Sequence, residues 1–136
     1  MDSTRAAYDE LYVYTMGRGG FVLQHAVDAF GAQTASEDTK PIGLTFALVG
    51  LYLRVEKQFS GVRIQQVHMQ LGKRRRQWPK IPPPKDRGSI TAAQVLAVPA
   101  GPDRDLAIDA WCRSVWSAFR DSHQTIIDLL RENQII

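Results

Sequence analysis

The chain has 136 residues, 44% of them hydrophobic and 23% charged, a composition typical of globular proteins rather than disordered ones. This length suits a single domain, residues 1–136, and Cys112 is the only cysteine, which excludes a disulfide-rich secreted scaffold. The N-terminus lacks the pattern of a signal peptide, and no apolar run reaches the ~20 residues that span a bilayer. We therefore expect a cytoplasmic protein with no membrane partner.

The net charge of +3 is concentrated in one segment. Residues 73–87 carry seven basic side chains and one acid, a net charge of +6, whereas the rest of the chain is at −3 with ten basic and thirteen acidic side chains. This basic segment can bind phosphates while Trp78 stacks on a base. It can equally be solvated surface, and the acidic remainder of the chain makes a nucleic acid the less favoured partner.

Three helices are predicted in the N-terminal half from apolar residues spaced three and four apart. The first begins at a cap on Asp2 or Ser3 and ends at the glycine-rich residues 17–20. The second covers residues 21–35 and is followed by a polar loop.

The third predicted helix covers residues 41–59 and begins with Pro41, which suits a first helical turn because its missing N–H costs nothing there. It is apolar on nearly every side, so we expect it at the centre of the core. Gly43 and Gly50 lie on nearly one face of it, where the missing side chains allow a neighbour to approach closely.

The C-terminal half predicts a fourth helix over residues 62–76, a short helix beginning near residue 90, and a long last helix from residue 103 to about residue 133. The proline-rich residues 78–84 cannot be helical and are expected to run extended over the surface. The predicted fold is therefore all-α, a bundle of four long helices with a short helix in the crossover before the last, and with a basic, proline-rich surface connection at about residues 73–90.

Known catalytic motifs are absent: the sequence has no phosphate-binding glycine loop, no H-E-x-x-H, no C-x-x-C and no G-x-S-x-G. The histidines are the most suggestive residues, because His25, His68 and His123 fall on the inward stripes of three different predicted helices. Helical bundles build metal sites from ligands on facing helices, and three imidazoles with a water make a catalytic zinc site. Asp28 and Glu56 are candidates for acids that support such a metal.

A structural interpretation of the same histidines remains open. A histidine on an apolar stripe is often a core residue that is hydrogen-bonded to a nearby carbonyl or hydroxyl group. Cys112, Trp111 and Trp116 on the last helix favour a similar interpretation, as an inert buried thiol and core aromatic residues.

Three stretches of the sequence resemble a family of uncharacterised bacterial proteins, known as a domain of unknown function. They are HAVDAFGAQT at residues 25–34, KPIGLTFALVGLYLRVEKQFSG at residues 40–61 and AIDAWCRSVWSAF at residues 107–119, and the resemblance extends from about Tyr8 to Leu130. It implies a helical bacterial protein and transfers no activity.

A looser likeness is to the DinB-type four-helix bundles, which often hold a metal on three histidines and include thiol-dependent transferases and hydrolases. Those proteins typically have two histidines one turn apart on one helix, whereas here each helix supplies one. The likeness is therefore at the level of the fold only.

Three functional hypotheses follow. The first is a metal-dependent hydrolase or transferase with His25, His68 and His123 as ligands of a divalent metal such as zinc. The second is a non-catalytic binding or assembly module, in which the faces carrying Gly43 and Gly50, or the exposed part of the last helix, pair with a second copy as a homodimer. The third is phosphate or nucleic-acid binding by residues 73–87.

Overall fold

The computed structural model describes residues 3–74 and 77–136 of the chain. Over these ranges it contains seven α-helices and no strand, which confirms the predicted all-α class. The helices are α1 Ser3–Met16, α2 Leu23–Gln33, α3 Pro41–Lys57, α4 Gly61–Arg74, α5 Ala92–Ala97, α6 Pro102–Ala118 and α7 His123–Glu132. Two further predictions, a cap at Asp2 and helix at residues 75 and 76, lie outside the described residues. The four-helix-bundle arrangement stays a prediction.

Local sequence signals account for several helix ends. Pro41 occupies the first turn of α3, and the helix ends where Gln58 adopts a left-handed conformation with φ 58°. Helix α5 begins with a capping box, in which the Thr91 hydroxyl accepts from the Gln94 backbone N–H and the Gln94 side chain accepts from the Thr91 N–H. Acidic side chains in the first turn of α6 suit the positive end of its dipole.

Helix α3 is the central element of the core, as its composition predicted. It contacts α2, α4, α6 and α7, and nine of its seventeen residues are buried. Gly31 of α2 lies against Ala47 of α3, and Asp28 lies against Gly50, so these two helices run antiparallel. Because α6 also packs on both, α2, α3 and α6 enclose the most buried part of the chain.

The prediction of one helix from residue 103 to about residue 133 is wrong, because the chain turns after Ala118. A short 3-10 turn, Arg120–Ser122, separates α6 from α7. The Phe119 backbone N–H bonds the Trp116 carbonyl at 3.1 Å, and the Ser122 N–H bonds the Phe119 carbonyl at 2.9 Å. After this 3-10 turn, α7 packs against α3. No glycine or proline in the sequence marks the break between α6 and α7.

Over the ranges 3–74 and 77–136, no helix combines the length and the apolar character that crossing a membrane requires.

Candidate functional site

Two of the three histidines make contacts that hold helices together. The His68 ring on α4 stacks on Phe46 of α3 with centroids 4.8 Å apart, and its Nε2 bonds the Phe46 carbonyl at 2.9 Å. The His123 ring at the start of α7 stacks on Trp116 with centroids 3.7 Å apart, and its Nε2 bonds the Trp116 carbonyl at 2.7 Å. Because a carbonyl oxygen only accepts, Nε2 carries the proton and donates in both bonds.

These contacts bear on the predicted metal centre of His25, His68 and His123. Within the part of the chain that the structure describes, no three histidine, cysteine or acidic side chains are grouped so that they can hold a metal ion. Through these contacts His68 joins α4 to α3, and His123 joins α7 to α6. A metal shared by the three histidines stays a prediction, and its direct test is elemental analysis.

His25 and Asp28 lie on the face of α2 that is turned into the core. Each is only 3% exposed, and two of their polar atoms, His25 Nδ1 and Asp28 Oδ2, have no hydrogen-bond partner. Burial lowers the pKa of His25 to about 4 and raises the pKa of Asp28 well above its ordinary value. Burial thus favours the neutral form of both side chains. Glu56, the other predicted supporting acid, is exposed near the end of α3.

The Asp28 carboxyl group occupies the space that the missing side chain of Gly50 leaves on α3. A Cβ atom added to Gly50 would lie 1.8 Å from Asp28 Oδ2, so only glycine fits this position. The Gln24 side-chain amide donates to the other carboxyl oxygen at 2.9 Å. The predicted close approach is thus real at Gly50, whereas Gly43 is exposed and its nearest neighbour is 4.0 Å from an added Cβ.

An ion pair between α3 and α6 lies near His25. Arg54 of α3 donates twice to Asp109 of α6, from Nε at 2.8 Å and from Nη2 at 3.0 Å, and this pair lines a cavity of about 280 Å³. Cys112, also on α6, is fully buried, and its thiol, whose pKa is raised by burial, donates to the His25 carbonyl at 3.6 Å. The thiol therefore remains protonated, which agrees with the prediction of an inert cysteine.

A larger cavity lies between the α2–α3 connection and the proline-rich segment. We call it the proline groove; its volume is about 960 Å³, and it is lined by residues 36–41, Leu44, residues 80–85 and Arg87. Leu44 and Ile81 are nearly buried at its floor. The polar side chains around the rim are Ser36, Glu37, Asp38, Thr39, Lys40, Lys80, Lys85 and Arg87.

Hydrogen bonds fix the proline-rich wall of this groove to the core. The Gln33 side-chain amide donates to the Ile90 carbonyl at 2.7 Å, while its oxygen accepts from the buried Trp111 indole at 2.9 Å. Arg87 donates to the Gln33 carbonyl at 3.0 Å and to the Pro84 carbonyl. Trp78 packs edge-on against Phe46 at 5.1 Å. The segment is non-helical, as predicted, and it is anchored at both ends.

Sequence reasoning found one wall of the proline groove but not the other. The basic, proline-rich residues between 73 and 87 were singled out, whereas Lys40 and Leu44 on the other wall were not. These residues precede the proline-rich wall by about forty positions, and no local pattern links the two. The unusual density of prolines was the one available signal, because prolines in sequence form a stiff wall when they are anchored.

Comparison with protein families shows which family the chain matches. A model for a family of unknown function, DUF5946, matches residues 5–120. The chain belongs to this family. That membership agrees with the resemblance carried by the three sequence stretches, and it brings no activity with it. Comparison with curated proteins and with solved structures found no match.

Proposed function

We propose that this member of DUF5946 is a cytoplasmic binding module that takes a small organic ligand in the proline groove. The observation that carries the proposal is a groove of about 960 Å³ with a nearly buried apolar floor and a polar rim. Sites for small organic ligands are usually concave, about 300–1,000 Å³ in volume, and combine an apolar lining with a few polar groups.

The anchoring of the groove supports the same proposal. Gln33 and Arg87 tie the proline-rich wall to α2, and the proline rings restrict its backbone further. A wall that is ordered before binding lowers the entropic cost of binding, so more of the contact energy appears as affinity. A wall held in this way favours a ligand site over a passive linker.

The basic segment supports a small ligand better than a nucleic acid. Arg87 is engaged with backbone carbonyls, and Arg74 donates to the Asn133 carbonyl, so neither guanidinium is freely presented to a phosphate backbone. Lys80 and Lys85 line the proline groove, where Glu37 and Asp38 also lie. Nucleic-acid binders usually present a continuous basic surface, which this mixed rim does not provide.

A ligand-observed NMR screen of small organic molecules tests the proposal. We expect several binders to the wild-type protein, and we expect their signals of binding to disappear with Glu37→Trp, because the exposed Glu37 side chain lines the groove and a tryptophan there fills it. Glu56→Trp is the matched control, since Glu56 is equally exposed but lies near the other end of α3. Binding that survives Glu37→Trp, or no binder at all, would refute the proposal.

Self-association is the second candidate, and one observation favours it. Val13 and Met16 on α1 are 69% and 64% exposed, and Leu106 on α6 is 66% exposed. Tyr14 of α1 donates to Asp105 of α6 at 2.8 Å, so the chain neighbours of Val13 and of Leu106 are in contact. An exposed apolar patch of this kind is typical of protein contacts. Gly50 is buried within the chain, so it is unavailable to a second copy.

Light scattering distinguishes the two states directly. We expect the mass of two chains for the wild-type protein if this patch is an interface, and the mass of one chain for the Val13→Glu variant. A wild-type protein that remains monomeric at the concentrations of the NMR screen would exclude the homodimer and leave ligand binding untouched.

A further inference from the structure

We infer that the ligand of the proline groove is an amphipathic organic anion, with its charged group beside Lys40 and Lys85 and its apolar part on Leu44 and Ile81. This inference rests on the proposed binding function and adds the chemical class of the ligand. It follows from three features of the groove: its apolar floor, its excess of positive charge, and the helix end that opens into it.

The floor and one wall of the groove are apolar. Leu44 and Ile81 are 4% and 7% exposed, so they present only a small area each, and the rings of Pro41 and residues 82–84 extend this surface along the groove. A ligand whose apolar surface is removed from water here gains affinity in proportion to the area buried. A small inorganic ion alone cannot use this surface.

The rim carries more positive than negative charge. The lining includes four basic side chains, Lys40, Lys80, Lys85 and Arg87, and two acidic ones, Glu37 and Asp38, a net charge of +2. The salt bridges among the described residues are formed elsewhere, by Arg5, Arg18 and Arg54, and none of the three lysines takes part in one. Lys40 and Lys85 are exposed, so their ammonium groups can turn toward an anion without breaking an ion pair.

The N-terminal end of α3 adds to this positive potential. Lys40 is its N-cap residue and makes no side-chain cap, and the first turn contains no acidic residue. The first turn of this 17-residue helix therefore contains no carboxylate that offsets the partial positive charge at its end. An anionic group beside Lys40 is stabilised by both the ammonium group and the helix end.

A pair of fluorescent probes tests the ligand class. 8-Anilinonaphthalene-1-sulfonate carries an apolar ring system and a sulfonate, and N-phenyl-1-naphthylamine carries the same ring system without the charge. We expect the wild-type protein to bind the sulfonate at least tenfold more tightly than the neutral probe, since only the anion uses both surfaces. Inorganic phosphate should displace the sulfonate only weakly, because it has no apolar part.

Substitution of the lysines provides the matched comparison. We expect Lys40→Gln/Lys85→Gln to weaken sulfonate binding about tenfold and to leave the neutral probe unchanged. Lys57→Gln/Lys73→Gln removes the same charge at two exposed lysines outside the groove and should change neither affinity. Circular dichroism melting of each variant excludes unfolding as the source of a fluorescence change.

The outcomes separate the ligand class from the proposed function. If both probes bind equally, both are blocked by Glu37→Trp, and the lysine variants have no effect, the groove binds ligands but the inferred anion is wrong. If inorganic phosphate displaces the fluorescent sulfonate as effectively as an unlabelled, non-fluorescent aromatic sulfonate does, the ligand needs no apolar part and the amphipathic class is wrong. If Glu37→Trp blocks neither probe, the binding function itself fails.

Discussion

The contact between Asp28 and Gly50 makes Gly50→Ala the sharpest test of the core. A methyl group at this position would lie 1.8 Å from Asp28 Oδ2 and 2.5 Å from its Cγ, both far inside van der Waals contact. The backbone of α3 cannot yield locally, because Val49 and Leu51 beside it are fully buried. Either the carboxyl group must leave its hydrogen bond with Gln24, or α2 and α3 must separate.

The magnitude follows from two opposing contributions. Replacing glycine by alanine in a helix interior gains about 0.5–1 kcal/mol of intrinsic helical stability. Overpacking a well-filled core costs about 1–3 kcal/mol, and displacing the Asp28 carboxyl from the Gln24 amide costs about 1 kcal/mol more. We therefore expect a net loss of about 1–3 kcal/mol, which for a chain of this length lowers Tm by roughly 4–12 °C.

Urea and thermal unfolding measure this loss, with Gly43→Ala as the matched control on the same helix. An added Cβ at Gly43 meets only Thr39 at 4.0 Å, so the control should be neutral or stabilised by up to about 1 kcal/mol. Asp28→Ala combined with Gly50→Ala should be more stable than the sum of the single effects, with a coupling of at least about 1 kcal/mol. A Gly50→Ala protein as stable as Gly43→Ala would refute the close contact.

Three further predictions concern the buried groups and the groove wall. Burial raises the folded pKa of Asp28 above its unfolded value, so the stability that this group contributes to the wild-type protein is lost as the pH rises toward the folded pKa. The stability of Asp28→Asn relative to wild type should therefore increase from about pH 4 upward, by about 1.4 kcal/mol per pH unit up to that pKa. A difference in Tm between the two proteins that does not grow with pH would contradict this. Gln33→Leu leaves the Trp111 indole N–H unpaired and frees the proline-rich wall, so we expect the free energy of unfolding to fall by about 2 kcal/mol. Trypsin should also cleave this variant faster after Lys80 and Lys85, unlike the control Gln66→Leu at an exposed position. Equal cleavage in both variants would show that Gln33 is not the anchor. Elemental analysis of untagged protein should give well below one metal ion per chain, because the Nε2 atoms of His68 and His123 already donate to carbonyls. One metal ion per chain that is lost in His25→Ala would contradict this and would support the three-histidine centre.

The sequence predicted which way the residues of the predicted metal site face, but not what they contact. His25 and Asp28 were correctly predicted to face the core, because a helical period of 3.6 residues assigns each residue of α2 to a face. The same reasoning placed His68 and His123 on inward stripes. It could not show that their rings stack on Phe46 and Trp116, because a stripe gives a direction and not the neighbour that it meets.

The sequence by itself determined the features that depend on neighbouring residues. Pro41 begins α3, Thr91 and Gln94 cap α5, and the apolar composition of α3 makes it the central helix. The helix ends follow from backbone hydrogen bonds that act over a few residues, and the central place of α3 follows from an apolar composition that is contained within one helix.

Only the tertiary structure decided the features that join distant residues. Three features depend on contacts between segments that are far apart in sequence. They are the turn after Ala118, the fit of Asp28 into the space at Gly50, and the proline groove. Close packing is the physical reason, because the neighbour of each buried side chain depends on the path of the whole helix and on the size of the residues it meets. The sequence indicated a basic, proline-rich connection, and the fold placed it against Lys40 and Leu44 to form a groove.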